Sequence, residues 1–177
     1  MNIRKAILNL HLILSGLFIP FLIIIPLSGS LYLLNIKGPV EKQEVLRVHT
    51  LNPIEDKEVF FRSLFKDNQI DFDFEYIKEN PNELIFRPAN RIHYTAKIVD
   101  GEVIVTKITP SLLNRMMELH KGHGPKISKY IGSAFGLALM LLLLTGIYLS
   151  WTVKSYRKTL VTSFAVGFVA LALLFML

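Results

Sequence analysis

A membrane α-helical protein carrying one small α+β domain outside the cytoplasm is the fold class this sequence predicts, on three observations. Long apolar runs stand at both ends of the 177-residue chain, one at the start and two at the close. All 14 acidic side chains, from Glu41 to Glu118, lie between them. Within that middle stretch the apolar residues change from helical spacing to strict alternation. Mean hydropathy is +0.42, and the apolar residues are clustered, so the chain is divided between two solvents.

The first span, within residues 1–35, holds AILNLHLILSGLFIPFLIIIPLSGSLYLL from Ala6 to Leu34. It exceeds the roughly 20 apolar residues that cross a bilayer. Pro20 and Pro26 predict a kink, because each removes a backbone donor and crowds the preceding turn. Arg4 and Lys5 precede the run as in a signal peptide, but its length and the lack of a following A-x-A predict a retained span. The second span is placed at residues 127–152 and the third at 159–177. The basic loop between them, 153–158, contains KSYRK and, with Arg4 and Lys5, predicts a cytoplasmic N-terminus under the positive-inside rule. The middle domain then faces the periplasm of a bacterial inner membrane, with Tyr130, Tyr148 and Trp151 as interfacial anchors.

Residues 36–110 read as the α+β domain. Asn52-Pro53-Ile54-Glu55 predicts a helix start with Asn52 as N-cap, the helix running to about Phe65. Asp71 to Tyr76, Glu83 to Arg87, Arg91 to Val99 and Glu102 to Ile108 predict antiparallel strands, with Asp100-Gly101 as a two-residue hairpin turn. Pro110 closes the sheet. Residues 111–126 then form an amphipathic interfacial helix, capped by Ser111, and a turn.

The net charge of +6 does not imply nucleic acid, because lysines and arginines in the middle stretch are balanced by acids. With no cysteine there is neither a disulfide framework nor thiolate ligation. No G-x-S-x-G, Walker loop, dinucleotide fingerprint or H-E-x-x-H occurs, and Asp71, Asp73 and Glu75 read as the wet face of a strand rather than catalytic carboxylates. Ser128, Gly132 and Gly136 recur at spacing four on the second span, and Ser163 and Gly167 on the third, which predicts close helix packing within this chain or against another subunit.

Two stretches, LNLHLILSGLFIPFLIIIPLSGSLYL and MELHKGHGPKISKYIGSAFGLALMLLLLTGIYLSW, carry a resemblance over nearly the whole chain. The first is a span with a histidine near its cytoplasmic end and a serine-glycine near its outer end; the second places a Leu-His before a glycine-rich span ending Thr-Gly-Ile-Tyr-Leu. In this order they resemble the PepSY-associated transmembrane helix family. The resemblance implies an inner-membrane protein with a PepSY-like outer domain, linked to iron and siderophore uptake. Some members resemble haem-bearing ferric reductases with more spans and more membrane histidines. The third span here has no histidine, which departs from those larger members.

His11, His120 and His123 are accordingly the candidate cofactor contacts, with haem as the implied group. His11 lies inside the apolar layer about 10 Å along the helix from Arg4 and reads either as a ligand or proton carrier or as a neutral residue bonded to a neighbouring helix. His120 and His123 share a helical face if the interfacial helix continues, and Gly122 and Gly124 equally allow a turn. The pair reads either as a cofactor contact or, more in keeping with two histidines alone, as a solvated interfacial pair beside Lys121 and Lys126. His11 and His120 approach opposite faces of a hydrocarbon layer about 30 Å thick, so bis-histidine ligation requires His120 with His123, a homodimer or a partner subunit. His49 and His93 read as surface or structural residues of the strands. Two functions follow: an accessory or electron-transfer component of an iron-uptake system, or a non-enzymatic subunit of a larger membrane complex whose outer domain binds other proteins. Peptide binding by the PepSY-like domain is a third.

Overall fold

The computed structural model describes residues 2–50 and 54–177 and divides into two compact units. The first comprises Met1–Phe21 with Ser133–Leu177, the second Leu22–Gly132.

Three helices are long and apolar enough to cross a membrane: α1 (Ile3–Leu33), α4 (Lys126–Trp151) and α5 (Lys154–Met176), of mean hydropathy 2.4, 2.0 and 2.3 over their most apolar stretches. Pro20 and Pro26 lie within α1 without interrupting it. In the first unit α1 and α4 run antiparallel. Phe135 packs against Phe18 and Phe21 at ring-centroid distances of 5.8 and 5.7 Å, and Arg4 Nε donates to Thr152 Oγ1. Phe135, Ala138, Leu142 and Thr145, spaced three and four apart, form the buried stripe of α4. No residue of α5 is buried.

In the second unit a five-stranded antiparallel sheet has the order β1-β5-β4-β3-β2, from β1 (Val40–His49), β2 (Tyr76–Asn80), β3 (Glu83–Arg87), β4 (His93–Val99) and β5 (Glu102–Pro110). One helix, α2 (Lys57–Asp67), covers one face. Phe61 and Phe65 of α2 meet Phe74, Leu84, Phe86, Ala96, Val103 and Val105 in a single core. Phe86 is its centre, with the rings of Phe61, Phe65 and Phe74 at 4.9, 5.1 and 5.0 Å. Such offset and edge-on contacts stabilise beyond the area they bury. The β4–β5 hairpin closes through Asp100 and Gly101, both at positive φ (51° and 78°), as an Asp-Gly turn requires. A bulge at Val45, where the register steps between Glu44 and Leu46, interrupts the long edge strand β1. A third helix of this unit, α3 (Leu112–His120), follows β5 directly, and its N-cap Ser111 accepts from the Asn114 N–H.

Three local expectations are corrected. The α2 N-cap is Asp56, whose side chain accepts from the Val59 N–H, and the helix begins at Lys57; the predicted cap, Asn52, lies outside the described residues. Asp71 to Glu75 is not a strand, although its burial alternates. The ladder starts at Tyr76 opposite Arg87, and beyond Arg87 comes Pro88, which has no N–H to offer. The segment is instead held by Arg62 of α2, which bonds Asp73 at 2.6 Å and the Phe74 carbonyl at 2.8 Å while lying 4.2 Å above the Phe74 ring. Finally, Lys154 to Lys158 form the opening turns of α5 rather than a loop, so only Thr152 and Val153 separate α4 from α5. Lys154, Arg157 and Lys158 are good helix formers and neither Ser155 nor Tyr156 breaks a helix, so the stretch continues into α5.

Replacing Phe86 by alanine removes the ring that three others pack on. Near-UV circular dichroism of the full chain during denaturant unfolding should register a loss of about 3–5 kcal/mol for the sheet domain.

Candidate functional site

The same small construction occurs once in each unit. In the first, His11 of α1 places Nδ1 2.8 Å from the Thr145 hydroxyl of α4. That hydroxyl also lies 2.8 Å from the Leu141 carbonyl and 3.0 Å from that of Leu142, one turn back on its own helix. A hydroxyl has one proton; with it directed to a carbonyl, the oxygen accepts from an Nδ1–H. In that arrangement Nδ1 is the donating nitrogen, and the clasp makes no use of Nε2. The next residue is Gly146, where a Cβ would stand in ordinary contact, 3.6 Å from His11 Cε1.

In the second unit, His120 at the end of α3 places Nδ1 3.2 Å from the hydroxyl of Ser28 in α1, and Ser28 Oγ donates to the Ile25 carbonyl at 3.0 Å. Gly29 again follows the hydroxyl residue, and a Cβ there would crowd His120 Cε1 at 3.2 Å. Each clasp therefore consists of a histidine from one segment and a Ser/Thr-Gly pair from another. Ser28 is buried, while His11 is half-buried and His120 exposed. Beside His120 is a cavity of about 40 Å³ lined by Ser28, Gly29, Tyr32, Met117 and Lys121, a space on the scale of one or two water molecules.

His123 takes a different path. α3 ends at His120, Gly122 turns the chain at φ 74°, and His123 Nδ1 reaches Glu118 at 2.7 Å. Glu118 also meets Lys121 and, at 3.4 Å, the buried Arg87 at the end of β3. The Ala89 N–H donates to the His123 carbonyl, so this ionic cluster ties α3 to the sheet. Burial opposes the Glu118 charge, but hydrogen bonds from Lys121 and His123 and their charges outweigh it and hold the carboxyl below its ordinary range. His93 is displaced downward, chiefly by burial, with its Nδ1 at 2.9 Å from the Arg91 carbonyl. His49 sits at the surface beside Glu102. Among the described residues, no three His, Asp or Glu side chains converge as a metal site.

The profile of a family described as the PepSY-associated TM region matches residues 8–177. This chain belongs to that family. No curated protein and no solved structure matches it. The matched stretch of this PepSY-associated TM protein contains every residue of both clasps.

The predicted small-residue stripe stands apart from them. Gly132, Gly136 and Gly167 are exposed, and a Cβ at any of them would meet nothing within 4 Å. Ser128 Oγ donates to the carbonyl of Pro125, the residue before α4, and Ser163 is exposed on α5. The residues that sequence spacing did not single out are the hydroxyl partners Ser28 and Thr145, the glycines beside them, and the Glu118–Arg87 pair. A signal for the clasps is present: Leu-His at 10–11 and 119–120 is matched by Leu-Ser-Gly at 27–29 and Leu-Thr-Gly at 144–146.

Thr145→Val keeps the shape and removes the hydroxyl; thermal unfolding in mild detergent should show a loss of about 0.6–1.7 kcal/mol. The acid dependence has a definite sign. A depressed Glu118 contributes stability present above the ordinary glutamate value of about 4.3 and lost as pH falls through its lowered folded value. Thermal midpoints of the wild type and Glu118→Gln, separated at neutral pH, should therefore converge in acid.

Proposed function

We propose that this protein is a non-catalytic subunit of a larger membrane complex, serving as an accessory component of an iron or siderophore uptake system in the bacterial inner membrane. In this reading the N-terminus is cytoplasmic and the sheet domain periplasmic, as the basic residues Arg4, Lys5, Lys154, Arg157 and Lys158 favour. The observation that carries it is the use of the histidines. Nδ1 of His11, His120 and His123 is in each case bonded within the chain, twice to a hydroxyl on another segment and once to Glu118. These side chains fasten segments together. The wholly unburied α5 and the open glycine face of α4 supply surface for other subunits or a second copy of the chain.

One observation favours a second reading, haem-linked electron transfer. An imidazole whose Nδ1–H is anchored to an oxygen presents Nε2 in the form that ligates iron, the usual arrangement behind a metal-bound histidine. His11 and His120 meet this requirement, and His123, whose Nδ1 bonds a carboxylate, does so as well. Haem would supply one-electron chemistry when bound.

Absorption spectra of the protein purified in mild detergent from haem-replete cells, oxidised and dithionite-reduced, separate the two. The subunit reading expects no Soret band in the wild type and a lowered thermal midpoint in His11→Ala and His120→Ala. A Soret band with sharpened reduced α and β bands, lost in either variant, would replace it with the second reading.

A further inference from the structure

Pairs of lysines are gathered over single tyrosine rings at the ends of two spanning helices. Where α1 runs out, the Nζ atoms of Lys37 and Lys121 lie 5.3 and 5.5 Å from the Tyr32 ring centroid. Where α4 begins, those of Lys126 and Lys129 lie 5.9 and 5.7 Å from the centroid of Tyr76. Tyr76 is brought there by its neighbour: the Glu75 carboxylate accepts a 2.8 Å hydrogen bond from the Lys126 N–H, pinning the start of β2 to the head of α4.

A ring face attracts an ammonium group, but two ammonium groups over one ring also repel each other. Lys121 is relieved by Glu118. Lys37, Lys126 and Lys129 are exposed and, among the described residues, have no carboxylate at ion-pair distance. Their position gives the chemistry of a counterion. Leu33 ends α1 and Lys126 opens α4, so these groups stand where apolar helix gives way to polar domain, at the depth of lipid phosphates. Tyrosine is suited to the same level, with its ring in the apolar layer and its hydroxyl in the headgroups.

We infer that Tyr76 with Lys126 and Lys129, and Tyr32 with Lys37, form seats for the phosphate of anionic phospholipids, holding the sheet domain against the membrane surface. A phosphodiester anion placed between two ammonium groups relieves their repulsion and satisfies both. The zwitterionic headgroup of phosphatidylcholine brings its own cation and competes poorly.

The test uses the full chain in mild detergent and fluorescent phosphatidylglycerol, with fluorescent phosphatidylcholine as the reference lipid. Wild-type protein should prefer the anionic lipid, and each lysine removed should weaken that binding about fivefold, so Lys126→Gln with Lys129→Gln should cost on the order of 25-fold. Tyr76→Leu changes no charge and should also weaken binding severalfold, which a diffuse basic surface would not do. Thermal midpoints in phosphatidylcholine micelles verify that each variant is folded. The inference fails if the wild type shows no preference for phosphatidylglycerol. It fails equally if Tyr76→Leu has no effect while Lys154→Gln with Lys158→Gln matches the Lys126/Lys129 pair. Competition by glycerol 1-phosphate as effective as by the lipid would overturn the lipid as occupant.

Discussion

A polar side chain in hydrocarbon has no water to bond with, and an imidazole left unpaired there carries several kcal/mol of desolvation cost. The hydroxyl of Thr145 answers that constraint for His11, and that of Ser28 makes the same bond to the exposed His120 at the end of α3. Each hydroxyl can serve because it already leans on a carbonyl of its own helix, which fixes its direction, and at Ser28 the following Gly29 lets the His120 ring approach closely. α1 and α4 are thereby registered through His11 and Thr145 by a directional bond in a layer where apolar contacts alone are almost indifferent to rotation or sliding. Phe135 against Phe18 and Phe21 adds packing to the same side of α4.

The sheet domain obeys a different solvent and is built differently. Its order comes from burial of one aromatic cluster under α2, centred on Phe86, where apolar area removed from water provides the drive. Between the two regimes lies Glu118. It gathers Arg87 from β3, Lys121, and His123 from the turn after α3, so that the helix bearing His120 is fixed to the sheet. A partly buried carboxylate is tolerated there because cations meet it from several directions. The placement of His120 thus depends on charge pairing outside the bilayer as much as on Ser28.

The histidines illustrate how one residue type serves two environments. His11 and His120 are held through hydroxyls of another segment, whereas Nδ1 of His123 meets the Glu118 carboxylate five residues back in its own segment. The three therefore do not act as one cluster, and the turn at Gly122 is what separates His123 from the α3 face that ends with His120.

Much of this architecture is written in local pattern. Twenty or more apolar residues without carboxylates admit little besides a spanning helix, Asp-Gly between alternating runs admits little besides a tight hairpin, and Ser111 before an amphipathic stretch marks a helix start. These are near-neighbour effects, so spacing alone determines them, and the family resemblance was likewise legible in the ordered Leu-His and Ser/Thr-Gly motifs. What neighbours in sequence do not encode had to come from the tertiary structure. Asp71 to Phe74 alternates like a strand but has no ladder partner once β3 ends at Arg87 before Pro88, and Arg62 holds it instead. Asp56 rather than Asn52 caps α2 because its oxygen reaches Val59. Above all, the partnership of His11 with Thr145 and of His120 with Ser28 spans 134 and 92 residues of chain, and only folding brings those side chains within hydrogen-bond distance.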